Sequence, residues 1–397
     1  MSILASVPLA PRDPILGLTE QFVADPRAGK VNLGVGVYLD ENGKVPLLEC
    51  VRTAEGRLAA DATPRGYLPI DGLPAYNAAV RTLVFGADSV AVAGGRVVTI
   101  EALGGTGALK IGAELLKSSD ARRRVLISNP SWENHLALFT RAGFEVGNYR
   151  YYDPARRGID FDGMLADLAA AEPGTIVVLH SCCHNPTGYD LTPQQWEQVA
   201  TAVVEHGLVP FLDLAYQGFA QGIEADAAVP RQFATLGIPV LVASSFSKNF
   251  SLYGERVGGL SIVAADAAEA ARVLSQVKVA VRTTYSNPPT HGAAMVTRVL
   301  GDPELRTLWE EELAGMRQRV KAMRQALVEG LQANGVEDMG FITEQVGMFS
   351  YCGLTPAQMT RLREEYGIYG TDAGRICVAA LNPSNVGEVA RAIAAVR

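Results

Sequence analysis

The sequence predicts an α/β fold built on a mainly parallel central sheet, and three observations predict it. Short, β-branched apolar runs recur between Val97 and Val263, segments of helical period separate them, and a glycine-rich turn joins the first run to its helix. Apolar runs without alternation are expected for strands buried on both faces. Their alternation with helices argues for parallel pairing, with ligands at the carboxyl ends of the strands.

Taken in order, Val97-Val98-Thr99-Ile100 reads as the first strand. Gly104-Gly105-Thr106-Gly107 follows as the turn, and Ala108 to Leu116 as the helix. Further strands are expected at 125–128, 175–179, 209–212 and 240–243. Thr192-Pro193-Gln194-Gln195 has an N-cap hydroxyl, a proline at the first helical position and a glutamine at the third, a capping-box start for the helix of Trp196 and Val199. Asp302-Pro303 opens a long helix in which Leu313, Met316, Val320, Met323, Leu327 and Leu331 keep a three-or-four spacing up to Gly335. A stripe that long more often bridges two lobes than sits within one. It puts a boundary near residue 315 and residues 341–397 in a smaller C-terminal lobe. Pro11-Arg12-Asp13-Pro14 is too rich in proline for regular structure and is expected on a partner surface.

Composition bounds the function. The 397 residues are 48% hydrophobic and 19% charged, enough for a large core and a second lobe in a soluble chain. The formal charge of -7, without a block of like charges, gives no support to nucleic-acid binding. An anionic substrate must therefore be met by a few placed arginines. Cys50, Cys182, Cys183, Cys352 and Cys377 form no C-x-x-C pair and no metal-like spacing, which fits a reducing cytoplasm and no metal site. Met1-Ser2-Ile3-Leu4-Ala5 does not read as a signal peptide, and no window is apolar enough to span a membrane. The expectation is a soluble cytoplasmic protein.

Singly, the chemical motifs are weak. The glycine-rich turn suits a phosphate, because free N–H groups and the helix dipole meet there, but it is neither G-x-G-x-x-G nor a Walker loop. In Ser245-Phe246-Ser247-Lys248 a lysine follows a buried strand, with Arg256 eight residues on. Two hydroxyls and a guanidinium are the equipment for holding a phosphate dianion beside an amine. His184-Asn185-Pro186-Thr187-Gly188 ends one strand and Asp213-Leu214-Ala215-Tyr216 the next, along the same sheet edge. Together they make a specific combination of phosphate cradle, amine, carboxylate, amide and phenol.

Those stretches, with Ser128-Asn129-Pro130-Ser131-Trp132-Glu133-Asn134-His135 and Tyr285-Ser286-Asn287-Pro288-Pro289, resemble the fold-type I, class I aminotransferases, in the aspartate and aromatic amino-acid subgroup. The likeness runs from Asp13 to the C-terminus. It implies pyridoxal 5'-phosphate as cofactor and a fold of a large domain with a mainly parallel sheet plus a smaller α/β domain. Residues 13–45 and 316–397 would form the small domain, 46–315 the large cofactor-binding domain, and 1–12 an arm on the partner subunit of a homodimer.

The resemblance also implies roles. Lys248 would be the covalent attachment point, and the base and acid that moves the substrate's α-proton. Asp213 would pair with the pyridine nitrogen, with His135 and His180 behind it. Asn185 and Tyr216 would bond the ring oxygen, and Trp132 would stack on the ring. Gly105, Thr106, Ser245, Ser247 and Arg256 would bind the phosphate, joined by Tyr67 from the second subunit. The family's first cradle position is often a serine, whereas Gly104 supplies no hydroxyl. Arg375, assisted by Asn185, would hold the α-carboxylate. Arg282, from the neighbouring subunit, would take the distal carboxylate of aspartate, glutamate or 2-oxoglutarate. Gly36 would close over the ligand.

For the second substrate, apolar Val37, Leu39 and Val45 are expected at the entrance, where a Phe or Tyr ring would be buried at roughly 25 cal/mol per Å2. The stretches around Trp132, Cys182 and Tyr253 also look closer to the aromatic branch, whereas Asn287 and Thr106 look like the aspartate branch. The expectation is transamination of tyrosine or phenylalanine, with aspartate activity retained, against 2-oxoglutarate. The alternative is an aspartate aminotransferase with weak aromatic activity. A lyase or decarboxylase with the same cofactor would not need two arginines for two carboxylates, and a dinucleotide oxidoreductase would leave Lys248 idle.

Overall fold

The computed structural model describes residues 2–10, 15–120 and 124–397, so the Pro11–Pro14 tract lies outside the described residues. Its strands are β1 (Val31–Asn32), β2 (Val97–Leu103), β3 (Arg124–Asn129), β4 (Glu145–Arg150), β5 (Tyr152–Asp153), β6 (Gly158–Ile159), β7 (Ile176–His180), β8 (Val209–Leu214), β9 (Val240–Ser245), β10 (Val257–Val263), β11 (Phe349–Tyr351), β12 (Ile368–Tyr369) and β13 (Arg375–Cys377). Seven of them form one sheet in the order β2-β10-β9-β8-β7-β3-β4. Pairing is parallel except that β10 runs antiparallel to both β2 and β9. The carboxyl ends of β2, β3, β7, β8 and β9 therefore share one edge.

Side chains alternate along a strand, and both faces of this sheet are covered. Ile176 and Val178 of β7 enter a core with Leu109 and Ile111 of the helix Gly104–Ser119 and Val277 and Val281 of the helix Ala267–Thr284. Val177 and Leu179 enter the other core, with Trp196 and Val199 of the helix Pro193–Glu205. All five expected strands form. β4 and β10 were not anticipated: β4 is a half-exposed edge strand, and β10 carries Gly258-Gly259, which strands usually avoid. Glycine is required at 258, because a Cβ there would stand 2.4 Å from the carbonyl carbon of Gly104.

The first helix differs from expectation in its start. It begins at Gly104 rather than after Gly107, so the glycine stretch is its first turn. Gly104 has a φ of 67°, and its N–H donates to the Arg256 carbonyl at 3.0 Å. That φ favours glycine, and a Cβ there would also stand 2.5 Å from the Arg256 guanidinium, which would have to shift. The capping box forms, with Gln195 N–H donating to Thr192 Oγ1 at 3.2 Å and Thr192 N–H to Gln195 Oε1 at 2.9 Å.

The helix Pro303–Ala333 starts under an Asp302 cap and packs on different neighbours at its two ends. Near its start Trp309 stacks on Phe250 at 4.6 Å and donates Nε1–H to the Asn249 carbonyl at 2.7 Å. Further on, Arg324 interrupts the apolar stripe while 3% exposed, donating to the carbonyls of Gly347 and Phe349 and to Ser350 Oγ. Burial brings its pKa down to about 10. β1 pairs in parallel with β12, and β11 antiparallel with β13, so the segment after residue 30 is laid against the C-terminal residues. Among the described residues no helix is long and apolar enough to cross a membrane.

Trp309 is fully buried, and truncating a buried tryptophan leaves a cavity as well as losing transfer energy. Trp309→Ala is expected to cost about 3–5 kcal/mol of unfolding free energy in denaturant titration; a loss below about 1 kcal/mol would mean that this end of the helix does not anchor the fold.

Candidate active site

The shared strand edge opens into a cavity of about 250 Å3 lined by Gly105, Thr106, Trp132, His180, Asn185, Asp213, Tyr216, Ser245, Ser247, Lys248 and Arg256. Residues from the ends of β2, β7, β8 and β9 thus meet although nearly 150 positions separate the first from the last. Val35, Gly36 and Val37 form another part of its wall, and Leu109, Ala215 and Tyr253 complete the lining.

At the polar floor, Asp213 is 4% exposed and its Oδ2 lies 2.9 Å from His135 Nε2. His135 Nδ1 lies 2.9 Å from Ser131 Oγ, so both ring nitrogens are committed and the ring is fixed in orientation. Burial pulls the Asp213 carboxyl upward. The His135 bond and the positive surroundings, Lys248 included, outweigh it and hold the group below the usual carboxylate range. His180 differs from expectation. Its ring lies 5.0 Å from that of His135, yet neither of its nitrogens has a partner among the described residues, and burial pushes it down to about 3. It contributes a neutral ring, not a hydrogen bond to Asp213. His135, His180 and Asp213 lie close enough for a metal ion, but both nitrogens of His135 are already bonded, in a relay that runs from Ser131 through His135 to Asp213.

Lys248 follows β9 by three residues, and its Nζ sits 4.8 Å from the Tyr216 ring centroid. Burial lowers its pKa to about 8, with Arg256 lowering it further and Asp213 opposing. On the other side, Arg256 Nη1 donates to Ser247 Oγ at 3.3 Å and to the Tyr253 carbonyl at 3.0 Å. The helix at Gly104 lacks any side-chain cap; the Gly104 N–H is taken by the Arg256 carbonyl, which leaves the N–H groups of the rest of the first turn, at Gly105 and Thr106, for an anion.

Two further carboxylates hold the loops that bear Asn185 and Tyr216. Asp190 accepts the N–H groups of Cys183 and His184 at 2.7 and 2.8 Å. Asp226, 4% exposed, accepts those of Gly218, Ala220, Gln221 and Gly222. Burial raises both, Asp190 to about 6, while the N–H bonds pull the other way. Neither was singled out from sequence, since an aspartate that caps a loop has no periodic signature.

Arg375, 1% exposed, donates Nη1–H to Asn185 Oδ1 at 2.9 Å and Nη2–H to the Gly34 carbonyl at 2.8 Å, with its guanidinium 4.3 Å from the Phe349 ring centroid. Its Nε has no partner among the described residues, and Glu133 is 3.9 Å away. Tyr67 and Arg282 are not brought to this cavity: Tyr67 is 95% exposed, and Arg282 is exposed with Nη1 donating to Ser286 Oγ. Of the three apolar entrance positions, Val37 alone lines the cavity. Leu39 is turned into the core and bonded to the Ala379 carbonyl, and Val45 is 47% exposed. All five cysteines are unpaired and buried.

Comparison with known proteins agrees with the geometry. The chain matches the family described as aminotransferase class I and II over residues 28–393. Aspartate aminotransferase of Pseudomonas aeruginosa is 58% identical over 395 residues, covering 99% of each chain. Aromatic-amino-acid aminotransferase of Escherichia coli is 51% identical over 388 residues, covering 97% of each. Among solved structures, aromatic-amino-acid aminotransferase from Burkholderia pseudomallei, covalently bound to pyridoxal phosphate, superposes with a TM-score of 0.97 at 62% identity over the whole of both chains. An amine, a carboxylate and an anion cradle in one cavity, on a sheet shared with those enzymes, are the working parts of a transaminase, and the chain belongs to the class I and II aminotransferase family.

Proposed function

We propose that this aminotransferase uses pyridoxal 5'-phosphate and moves the amino group of an aromatic amino acid, tyrosine or phenylalanine, and also of aspartate, to 2-oxoglutarate. The observation that carries the reading is a primary amine, Lys248, in one cavity with an ionised carboxylate and a cradle for a phosphate. When bound, the cofactor supplies a ring that takes up the electron pair left at the substrate's α-carbon and a carbon that receives the amino group.

The chain's own groups do the rest. Asp213, kept ionised, is suited to hold a proton on the ring nitrogen, and His135 keeps its carboxylate in register. Trp132 covers a ring face, and Asn185 and Tyr216 donate to the ring oxygen. The first turn at Gly105 and Thr106, with Ser245, Ser247 and Arg256, holds the phosphate. Lys248, with an amine near 8, is in part neutral at physiological pH and takes the proton from the substrate's Cα. Arg375 binds the α-carboxylate, already oriented by Asn185 and Gly34.

The exposure of Tyr67, of Arg282 and of Ile3, Leu4, Val7 and Leu9 in the single chain supports a homodimer. In it, the partner subunit's Tyr67 would reach the phosphate and the partner subunit's Arg282 the distal carboxylate, with residues 1–12 as an arm. Residues 13–45 and 316–397 would move as a small domain over 46–315, closing Gly36 on the substrate. The unpaired cysteines suit a cytoplasmic site of action. The apolar side chains of Val35 and Val37 support the aromatic substrate. The 58% identity with an aspartate aminotransferase supports the second reading, an aspartate enzyme with weak aromatic activity.

Three outcomes are expected. The apoprotein should take up pyridoxal phosphate at a rate that rises with pH to a midpoint near 8, because the neutral amine reacts; a midpoint near the ordinary 10.5 would mean a solvated lysine, and Lys248→Ala should form no covalent adduct. Tyrosine and aspartate, each without a keto acid, should both bleach the visible absorption of the loaded enzyme, whereas bleaching by aspartate alone selects the second reading. Arg282→Ala should lower kcat/KM for aspartate by about 10- to 100-fold, the worth of a charged hydrogen bond, and leave tyrosine within about threefold; Arg375→Ala should lower both.

A further inference from the structure

Tyr253 lines the cavity beside Lys248 and Arg256, and no role above uses its side chain. Its hydroxyl oxygen accepts the backbone N–H of Tyr38 at 2.9 Å, across 215 positions of sequence. Tyr38 is 5% exposed, so water cannot readily replace that acceptor, and a buried N–H without one carries its full desolvation cost. Tyr38 ends the segment whose Val35, Gly36 and Val37 form part of the cavity wall.

The rest of that segment is bonded to the C-terminal residues. Leu33 N–H donates to the Tyr369 carbonyl at 2.7 Å, Cys377 N–H to the Leu33 carbonyl at 2.7 Å, Leu39 N–H to the Ala379 carbonyl at 3.0 Å, and Arg375 to the Gly34 carbonyl. Among the described residues, the bond to Tyr253 is the direct hydrogen bond from this segment to the part of the chain that carries Lys248, beside the indirect route from Gly34 through Arg375 to Asn185. At its own backbone, Tyr253 accepts from Arg256, which also donates to Ser247. A single residue thus links the anion-binding corner with the Val35–Tyr38 wall.

We propose that Tyr253 is a positioning residue whose hydroxyl latches the Val35–Tyr38 wall over the cavity, so that substrates of both classes depend on it for affinity while proton transfer at Lys248 does not. The inference rests on the reading that this cavity receives the amino-acid substrate. The latch holds the backbone of the whole Val35–Tyr38 segment, Gly36 included, so its loss is expected to weaken substrates of both classes. The bond joins two groups of the protein and engages no reacting atom, so its effect is expected in KM.

Tyr253→Phe removes one oxygen atom, and the test compares it with the native enzyme as purified at full length. Amide exchange of a peptide covering residues 33–40 should be about tenfold faster in the variant, as for loss of one buried hydrogen bond, with exchange in β8 and β9 unchanged. KM for tyrosine and for aspartate should each rise about five- to tenfold, with kcat within about twofold. Unchanged exchange at 33–40 would overturn the proposal, as would a fall in kcat at constant KM, which would put the hydroxyl in the chemistry. Faster exchange throughout β8 and β9 would also overturn it, because the hydroxyl would then serve the fold as a whole. If the native enzyme transfers no amino group, the functional reading fails, and the exchange comparison still decides whether the latch exists.

Discussion

A primary amine kept partly neutral at physiological pH has to be buried, and a carboxylate kept ionised within the same cavity has to be compensated. That pair of demands organises the site. Lys248 is lowered to about 8 by desolvation and by Arg256, while Asp213 is held down by His135, whose other nitrogen is spent on Ser131. If Asp213 lost its histidine, burial would favour its neutral form and remove the charge that opposes the lowering of Lys248. Each group's state thus depends on the other's surroundings.

The sheet makes this arrangement attainable. Parallel strands deliver their last residues to one edge, so side chains distant in sequence arrive in one cavity without long loops. The loops that do the final presenting are stiffened from below by buried acceptors. Asp190 and Asp226 between them accept six backbone N–H groups, a use of carboxylates that orders irregular backbone without any cation. The same economy appears at Arg324, whose buried guanidinium is satisfied by carbonyls and a hydroxyl and thereby steadies the strand that puts Phe349 under Arg375.

Legibility in the sequence followed physical range. The five strands with continuous apolar runs were visible because burial on two faces leaves an unmistakable pattern. β4, half-exposed at the edge, and β10, with paired glycines, were not. The capping box was legible to the residue because its chemistry is local. The start of the helix at Gly104 was not, since it is set by the Arg256 carbonyl and guanidinium, 152 positions away. Of the apolar entrance trio, Leu39 and Val45 went elsewhere because local hydrophobicity does not say which core or surface a loop residue will meet.

By itself the sequence determined the α/β architecture and the grouping of Lys248, Asp213, Asn185, Tyr216 and Arg256, because strand pattern fixes which ends meet and residue type fixes what they can do there. The tertiary structure alone decided the protonation bias of Lys248, the single histidine that supports Asp213, the carboxylates beneath the loops and the reach of Tyr253 to Tyr38. Those depend on desolvation and on contacts between residues far apart in the chain, and neither quantity has a value until the chain is folded.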